Sequence, residues 1–190
     1  MATKRTEKQY SALEIANYIV YLLKDVCEDL TNMKLNKLIY FAQGQYLKET
    51  GKPLFNDNIE AWDYGPVVES VYQKYKRFNN KPISIYNKRM ANTISMEVSD
   101  FLIGISRKYG KFTASSLVSK THMINSPWDQ VYQGKERHVL IPVNIIKEYF
   151  INHEEGIDDV VLPFSAADYI ETRDKDGILI LPKEWNNETV

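Results

Sequence analysis

Apolar residues recur at three- and four-residue steps along most of the chain, the spacing that places them on one side of a helix. The first stripe is Leu13, Ala16, Ile19, Val20, Leu23, Val26 and Cys27. Ser11 precedes it with Glu14 three residues on, a pair that satisfies free backbone donors from both sides of a helix start. Leu35, Leu38, Ile39, Ala42, Tyr46 and Leu47 form a second stripe, on a helix predicted from Thr31 or Asn32 to Thr50. Gly51 is its expected left-handed stop. Lys34, Lys37 and Lys48 are expected off its buried face. Residues 52–64 are irregular, punctuated by Pro53, Asn56, Asp57 and Asn58. Within them, 54–55 and 59–62 read as two short strands or as extended loop packed on the helices.

Gly65-Pro66 reads as a helix start, because proline is favoured in a first turn where its missing donor would be unpaired anyway. Val67, Val68, Val71, Tyr72 and Tyr75 follow at helical spacing. A polar connector at 77–82 leads to a strand candidate at 83–86. A helix is expected over 94–109, closed by Gly110. A short one follows the cap residue Thr113 and carries Leu117 and Val118. Another runs from Ser126-Pro127 through Trp128, Val131 and Tyr132 to Gly134. The last spans 142–152, with Ile145, Ile146, Tyr149 and Phe150. Residues 153–190 open on an acidic run that reads as linker. A hairpin is expected around Asp176-Gly177, flanked by 169–172 and 177–181. The expected fold is mainly α: a compact bundle of about six to seven helices with short β elements. A helical domain covers 1–152, and 153–190 form an appendage whose hairpin packs on the core.

Composition narrows the function. The chain has 190 residues, 44% hydrophobic and 26% charged, an ordinary globular balance. Basic and acidic residues number 24 and 25, which weighs against a dedicated nucleic-acid binder. One cysteine, Cys27, excludes an intramolecular disulfide. No apolar run approaches the roughly 18 residues of a membrane span. The first ten residues are polar and lack the pattern of a secretory signal. A cytoplasmic location without membrane contact is expected. Thirteen tyrosines against seven phenylalanines fit half-buried positions and contact surfaces.

Motifs for catalysis are missing. His122, His138 and His153 share no metal-ligand spacing. No glycine-rich phosphate loop or nucleophile elbow occurs. The acidic pairs 154–155 and 158–159 lie in apparent linker. Neither a catalytic residue nor a metal or cofactor is expected. Lys34, Lys37, Lys48 and Lys52 gather around the second helix, and Lys74, Lys76, Arg77 and Lys81 follow the third. With Tyr72 and Tyr75 among them they read either as a phosphate- and base-binding face or as a solvated helix face.

One block is more specific. It begins Met33-Lys34-Leu35-Asn36-Lys37-Leu38-Ile39-Tyr40-Phe41-Ala42-Gln43-Gly44 and continues with Tyr46-Leu47 and Gly51-Lys52-Pro53-Leu54-Phe55. It then runs Ile59-Glu60-Ala61-Trp62-Asp63-Tyr64-Gly65-Pro66-Val67-Val68 and ends near Val71-Tyr72. Thr121-His122 and Pro127-Trp128 add a shorter match. The pattern resembles the Panacea domain, the SocA-like antitoxin family of bacteria and their phages, which includes phage-associated proteins called GepA. The likeness covers about residues 10–152.

The resemblance implies a mostly helical domain that neutralises a cognate toxin by direct protein binding, without enzyme activity or cofactor. The toxin is expected from an adjacent gene. Some members are similar to proteolytic adaptors that deliver the toxin to an AAA+ protease. A nucleic-acid-associated regulator of its own operon is the alternative. Candidate partner-binding residues are Lys34, Lys37, Tyr40, Trp62, Tyr64 and Tyr72. Trp62 also reads as a core anchor, like Trp128. Gly65 and Pro66 are expected to fix a tight turn into the third helix. Pro127 starts a short helix. His122 is expected to cap its helix or to hydrogen-bond within the core.

Overall fold

A computed structural model gives the fold and describes residues 8–132 and 138–153. Among these residues there are eight α-helices, a short 3-10 turn at Lys76–Phe78 and one three-stranded sheet. The helices are α1 Ala12–Leu23, α2 Asn32–Thr50, α3 Glu69–Tyr75, α4 Lys88–Ala91, α5 Met96–Tyr109, α6 Ala114–Thr121, α7 Pro127–Val131 and α8 Val143–Asn152. The strands are β1 Glu60–Trp62, β2 Gly65–Val67 and β3 Val139–Leu140, in the order β2-β1-β3 and antiparallel throughout.

Local chemistry sets most helix starts. Ser11 Oγ accepts from the Glu14 amide, and the Glu14 carboxylate accepts from the Ser11 amide at 3.0 Å. Thr31, Ser95, Thr113 and Ser126 cap α2, α5, α6 and α7 from one side only, each side-chain oxygen accepting a first-turn amide. Gly51 ends α2 with φ 74°, a left-handed conformation that glycine adopts without a Cβ clash. Of the first stripe, Ala16, Ile19, Val20, Leu23 and Cys27 are buried and Leu13 is half-buried. Val26 departs from expectation: it lies past the helix end and is 75% exposed.

The main correction concerns α2. Every residue from Asn32 to Gln45 is buried. The helix is the axis of the bundle, with α1, α3, α5, α6, α8 and β2 packed around it. Lys34 and Lys37 are therefore inside, not off the buried face; they are 1% and 0% exposed. A one-sided stripe describes a surface helix, and a central helix has no outer side. At Gly44 the α8 helix comes close. A Cβ there would meet the Phe150 ring at 2.3 Å. Phe41 stacks on Tyr109 with centroids 4.6 Å apart and tilts against Phe150, joining α2, α5 and α8.

Gly65 and Pro66 do not start a helix. They pair with Trp62 and Ala61 as β2, and α3 begins at Glu69. Pro66 is tolerated because β2 is an edge strand, where a missing donor breaks no ladder on the outer side. Of the two strand candidates before it, 59–62 contains β1. Phe55 makes only an isolated bridge to Tyr10. Residues 83–86 form no strand; the Ile83 amide donates to the Leu30 carbonyl at 2.8 Å. The four-residue α4 was not expected. Asn87 caps it, and Asn17 on α1 both donates to and accepts from the Asn87 backbone. The expected stop at Gly134 and the C-terminal hairpin lie outside the described residues.

Candidate functional site

The polar side chains of α2 hold the irregular chain that follows it. Gln43 Oε1 accepts from the Leu54 and Phe55 amides at 2.9 and 3.3 Å, and its Nε2 donates to the Phe55 carbonyl at 3.0 Å. Asn36 Oδ1 accepts from the Val68 amide at 3.1 Å. Its Nδ2 donates to the carbonyl and the Oδ1 of Asn32, each at 3.0 Å. Asn32 Nδ2 donates to the Tyr72 carbonyl at 3.1 Å. Lys37 Nζ donates to the Pro66 carbonyl at 3.0 Å. Buried polar groups must find partners, and here one helix face supplies them to a segment with little regular structure. Burial pushes the Lys37 ammonium well below the usual lysine range.

The turn between β1 and β2 is clamped from its other side. Gly65 has φ 95°, and a Cβ there would lie 2.6 Å from Thr121 Oγ1 and 2.9 Å from Lys37 Nζ. Only glycine combines that conformation with that approach. His122 closes α6, and its Nδ1 is 2.7 Å from the Val118 carbonyl. A neutral imidazole carries one N–H, and this contact takes it. Burial lowers the His122 pKa to about 4, so the ring is neutral at physiological pH. The ring packs on Trp128 at 3.7 Å. Trp128 Nε1 donates to the Trp62 carbonyl at 2.7 Å. Tyr132 stacks on Trp128 and donates its hydroxyl to Asp63 Oδ1 at 2.9 Å.

The turn presents Trp62, Asp63 and Tyr64, all half-buried. Trp62 stands edge-on to Tyr72 at 4.8 Å and to His138 at 4.6 Å. Glu60 accepts from Trp62 Nε1 and contacts His138 Nδ1, both at 2.8 Å. Trp62 and Tyr64 pack on a small apolar cluster of Met33, Val67, Tyr72, Ala114 and Val118, separate from the main core.

The candidates thus fall into two sets. Trp62 and Tyr64 share the half-buried turn, with Tyr72 directly beneath it. Lys34, Lys37 and Tyr40 are buried deep in α2, and Tyr72 is buried as well. Lys34 Nζ reaches Asp29 Oδ1 at 2.5 Å, and Tyr40 packs against Phe41 and Phe150. Gly65, Pro66, His122, Pro127 and Trp128 gather behind the turn and support it. Asn36, Gln43 and Asp63 were missed. The Asn32 and Asn36 pair, one turn apart inside an apolar run, was the available signal.

Other chemistry is sparse. Among the described residues no group of three His, Cys, Asp or Glu side chains could hold a metal ion. Burial, then a hydrogen bond to Asp29, pushes the Cys27 thiol up, away from the thiolate a nucleophile needs. No helix among the described residues is long and apolar enough to cross a membrane.

Comparison with known proteins places this geometry. Residues 35–129 match the model of a family described as antitoxin SocA-like, Panacea domain. That range begins on α2 and ends on α7, so it contains the clamped turn with Asn36, Lys37, Gln43, Thr121, His122 and Trp128, but not Asn32 or Tyr132. The chain is 32% identical over 135 residues to antitoxin SocA of Caulobacter vibrioides, covering 65% of this chain and 71% of that protein. No solved structure matches the chain. The chain belongs to the family of SocA-like antitoxins that share the Panacea domain.

Proposed function

We propose that this protein is an antitoxin that neutralises a cognate toxin by direct binding, and that the turn Trp62-Asp63-Tyr64 is its contact face. The observation that carries this is how the turn is held. Trp128 and the α2 side chains grip backbone atoms on and around it, so the fixed shape still presents two half-buried aromatics and a carboxylate. Aromatic side chains on a rigid support lose little entropy on binding and are frequent anchors of protein interfaces. Lys34, Lys37 and Tyr40 act from below, as the frame of that face.

The toxin is the product of an adjacent gene. Co-expression with that neighbour restores growth and yields a complex that survives purification. A neighbour that is harmless alone, or that never co-purifies, overturns the reading. In its finer form the protein also delivers the toxin to an AAA+ protease. Toxin lifetime in cells reads this directly: it shortens when the antitoxin is present under delivery, and is unchanged or longer under simple blocking.

A further inference from the structure

Helices α1 and α5 lie side by side and run the same way. Tyr18, midway along α1, has its hydroxyl 2.6 Å from Ser99 Oγ in the first turn of α5. Cys27, just past α1, has its sulfur 3.9 Å from the carbonyl of Gly110, just past α5. At that second end a cleft of about 400 Å³ opens between them. Leu22 and Val26 stand on its α1 lip, and Ile103, Arg107 and Lys111 on its α5 lip. Val26 projects, 75% exposed. An exposed apolar side chain matters where it adjoins an apolar cleft and forms one patch with it.

The two lips are of opposite sign. Asp25, Glu28 and Asp29, all exposed, continue the α1 lip, while Arg107, Lys108 and Lys111 end the α5 lip. Asp25 is paired with Lys24, and Asp29 with Lys34. Glu28 and Arg107 are exposed, and neither enters an ion pair among the described residues. Each lip therefore keeps a charge that the other lip would attract.

A second copy of the chain has the matching arrangement. A two-fold axis along the cleft keeps the helices parallel and sets the α1 lip of each copy over the α5 lip of the other. Acid then meets base twice, the self-complementarity that an isologous interface requires. A partner of different sequence would have to carry both charges and an apolar ridge in mirror order, whereas a second copy carries them by construction.

We propose that the α1–α5 cleft is a homodimer interface of this two-fold kind. Val26 of one copy packs on the Ile103 lip of the other, and Glu28 of one faces Arg107 of the other. The proposal is independent of the antitoxin reading, since no residue of the β1–β2 turn lines the cleft.

Light scattering of the full chain at low salt tests it. The expected mass is twice 22.1 kDa. Arg107→Glu alone, or Glu28→Lys alone, sets like charges opposite each other at both contacts and raises the dissociation constant about tenfold or more. Mixing the two variants restores a two-chain species with one copy of each, because both facing pairs are then opposite in sign. A single-chain mass for the unaltered protein at every concentration up to about 1 mM overturns the proposal. A dimer untouched by either substitution overturns it too, because the interface then lies elsewhere. So does a mixture of the two variants that stays monomeric.

Discussion

The Lys37 ammonium nitrogen lies 3.0 Å from the carbonyl oxygen of Pro66, in a place with no exposed surface. A cation in such surroundings is costly, and its proton is held loosely. The folded-state pKa is depressed, so the unfolded chain binds more protons between that value and the ordinary 10.5. Stability contributed by Lys37 therefore rises with pH across that window. Lys37→Met keeps the stem but removes both the donor and the titration. The variant is expected to be less stable by about 1–3 kcal/mol, the cost of an unmet buried carbonyl. Its deficit should widen from pH 7 to pH 9.5. Urea midpoints of both chains at the two pH values measure it.

His122 has the same sign at the other end of the scale. Its pKa is about 4 when folded against 6.5 for the free residue. Stability linked to the neutral ring is present above 6.5 and is lost as pH falls toward 4. The loss is on the order of 3 kcal/mol for a shift of this size. His122→Phe removes the Val118 contact and is expected to be less stable at pH 7.5, yet flatter between pH 6.5 and 4. Denaturant unfolding across that range compares the slopes. Equal slopes would mean that other groups govern the acid limb.

Gly65 faces a conformational and a steric obstacle to a side chain. Gly65→Ala is expected to cost about 2 kcal/mol or more, from the positive φ and from the approach of Thr121 Oγ1 and Lys37 Nζ. Adding Thr121→Ala relieves the nearest contact and leaves the positive φ and the Lys37 approach. A double-mutant cycle should therefore show partial recovery. Complete recovery would mean that the backbone conformation adjusts freely.

Binding and folding should separate at the turn. Tyr64→Ala is expected to weaken toxin binding about tenfold or more, the loss typical of an interface anchor, while the melting temperature changes little. Lys34→Ala should do the reverse, because Lys34 is buried and paired with Asp29. Calorimetric titration and thermal unfolding of the two variants decide it. Unchanged binding in Tyr64→Ala makes that tyrosine a packing residue.

The helices were largely legible in sequence because their starts are written locally, in Ser11, Thr31, Thr113 and Ser126. What was not legible depends on distant partners. Hydropathy reads Lys34, Asn36, Lys37 and Gln43 as outward, since it prices a polar group by its affinity for water. These side chains instead find backbone partners in the 54–68 segment or, for Lys34, a carboxylate. Gly65-Pro66 suits a helix start and an edge strand equally; only the pairing with Ala61 and Trp62 chooses between them. The short α4 rests on Asn17, 70 residues away from its cap. The turn itself was legible as a motif, but Asp63 became visible only through Tyr132.

Each of the bonds described above from α2 to the 54–72 segment, and the one from Trp128, ends on a main-chain atom: the Leu54 and Phe55 amides, the Val68 amide, and the carbonyls of Phe55, Trp62, Pro66 and Tyr72. Main-chain atoms are the same whatever the residue. Apart from Gly65, where only glycine fits, and Asp63, whose carboxylate Tyr132 holds, the scaffold grips the path of the segment and not its spelling. A lineage could rewrite the outward letters of this turn to suit a new antagonist while keeping its inner grammar unchanged.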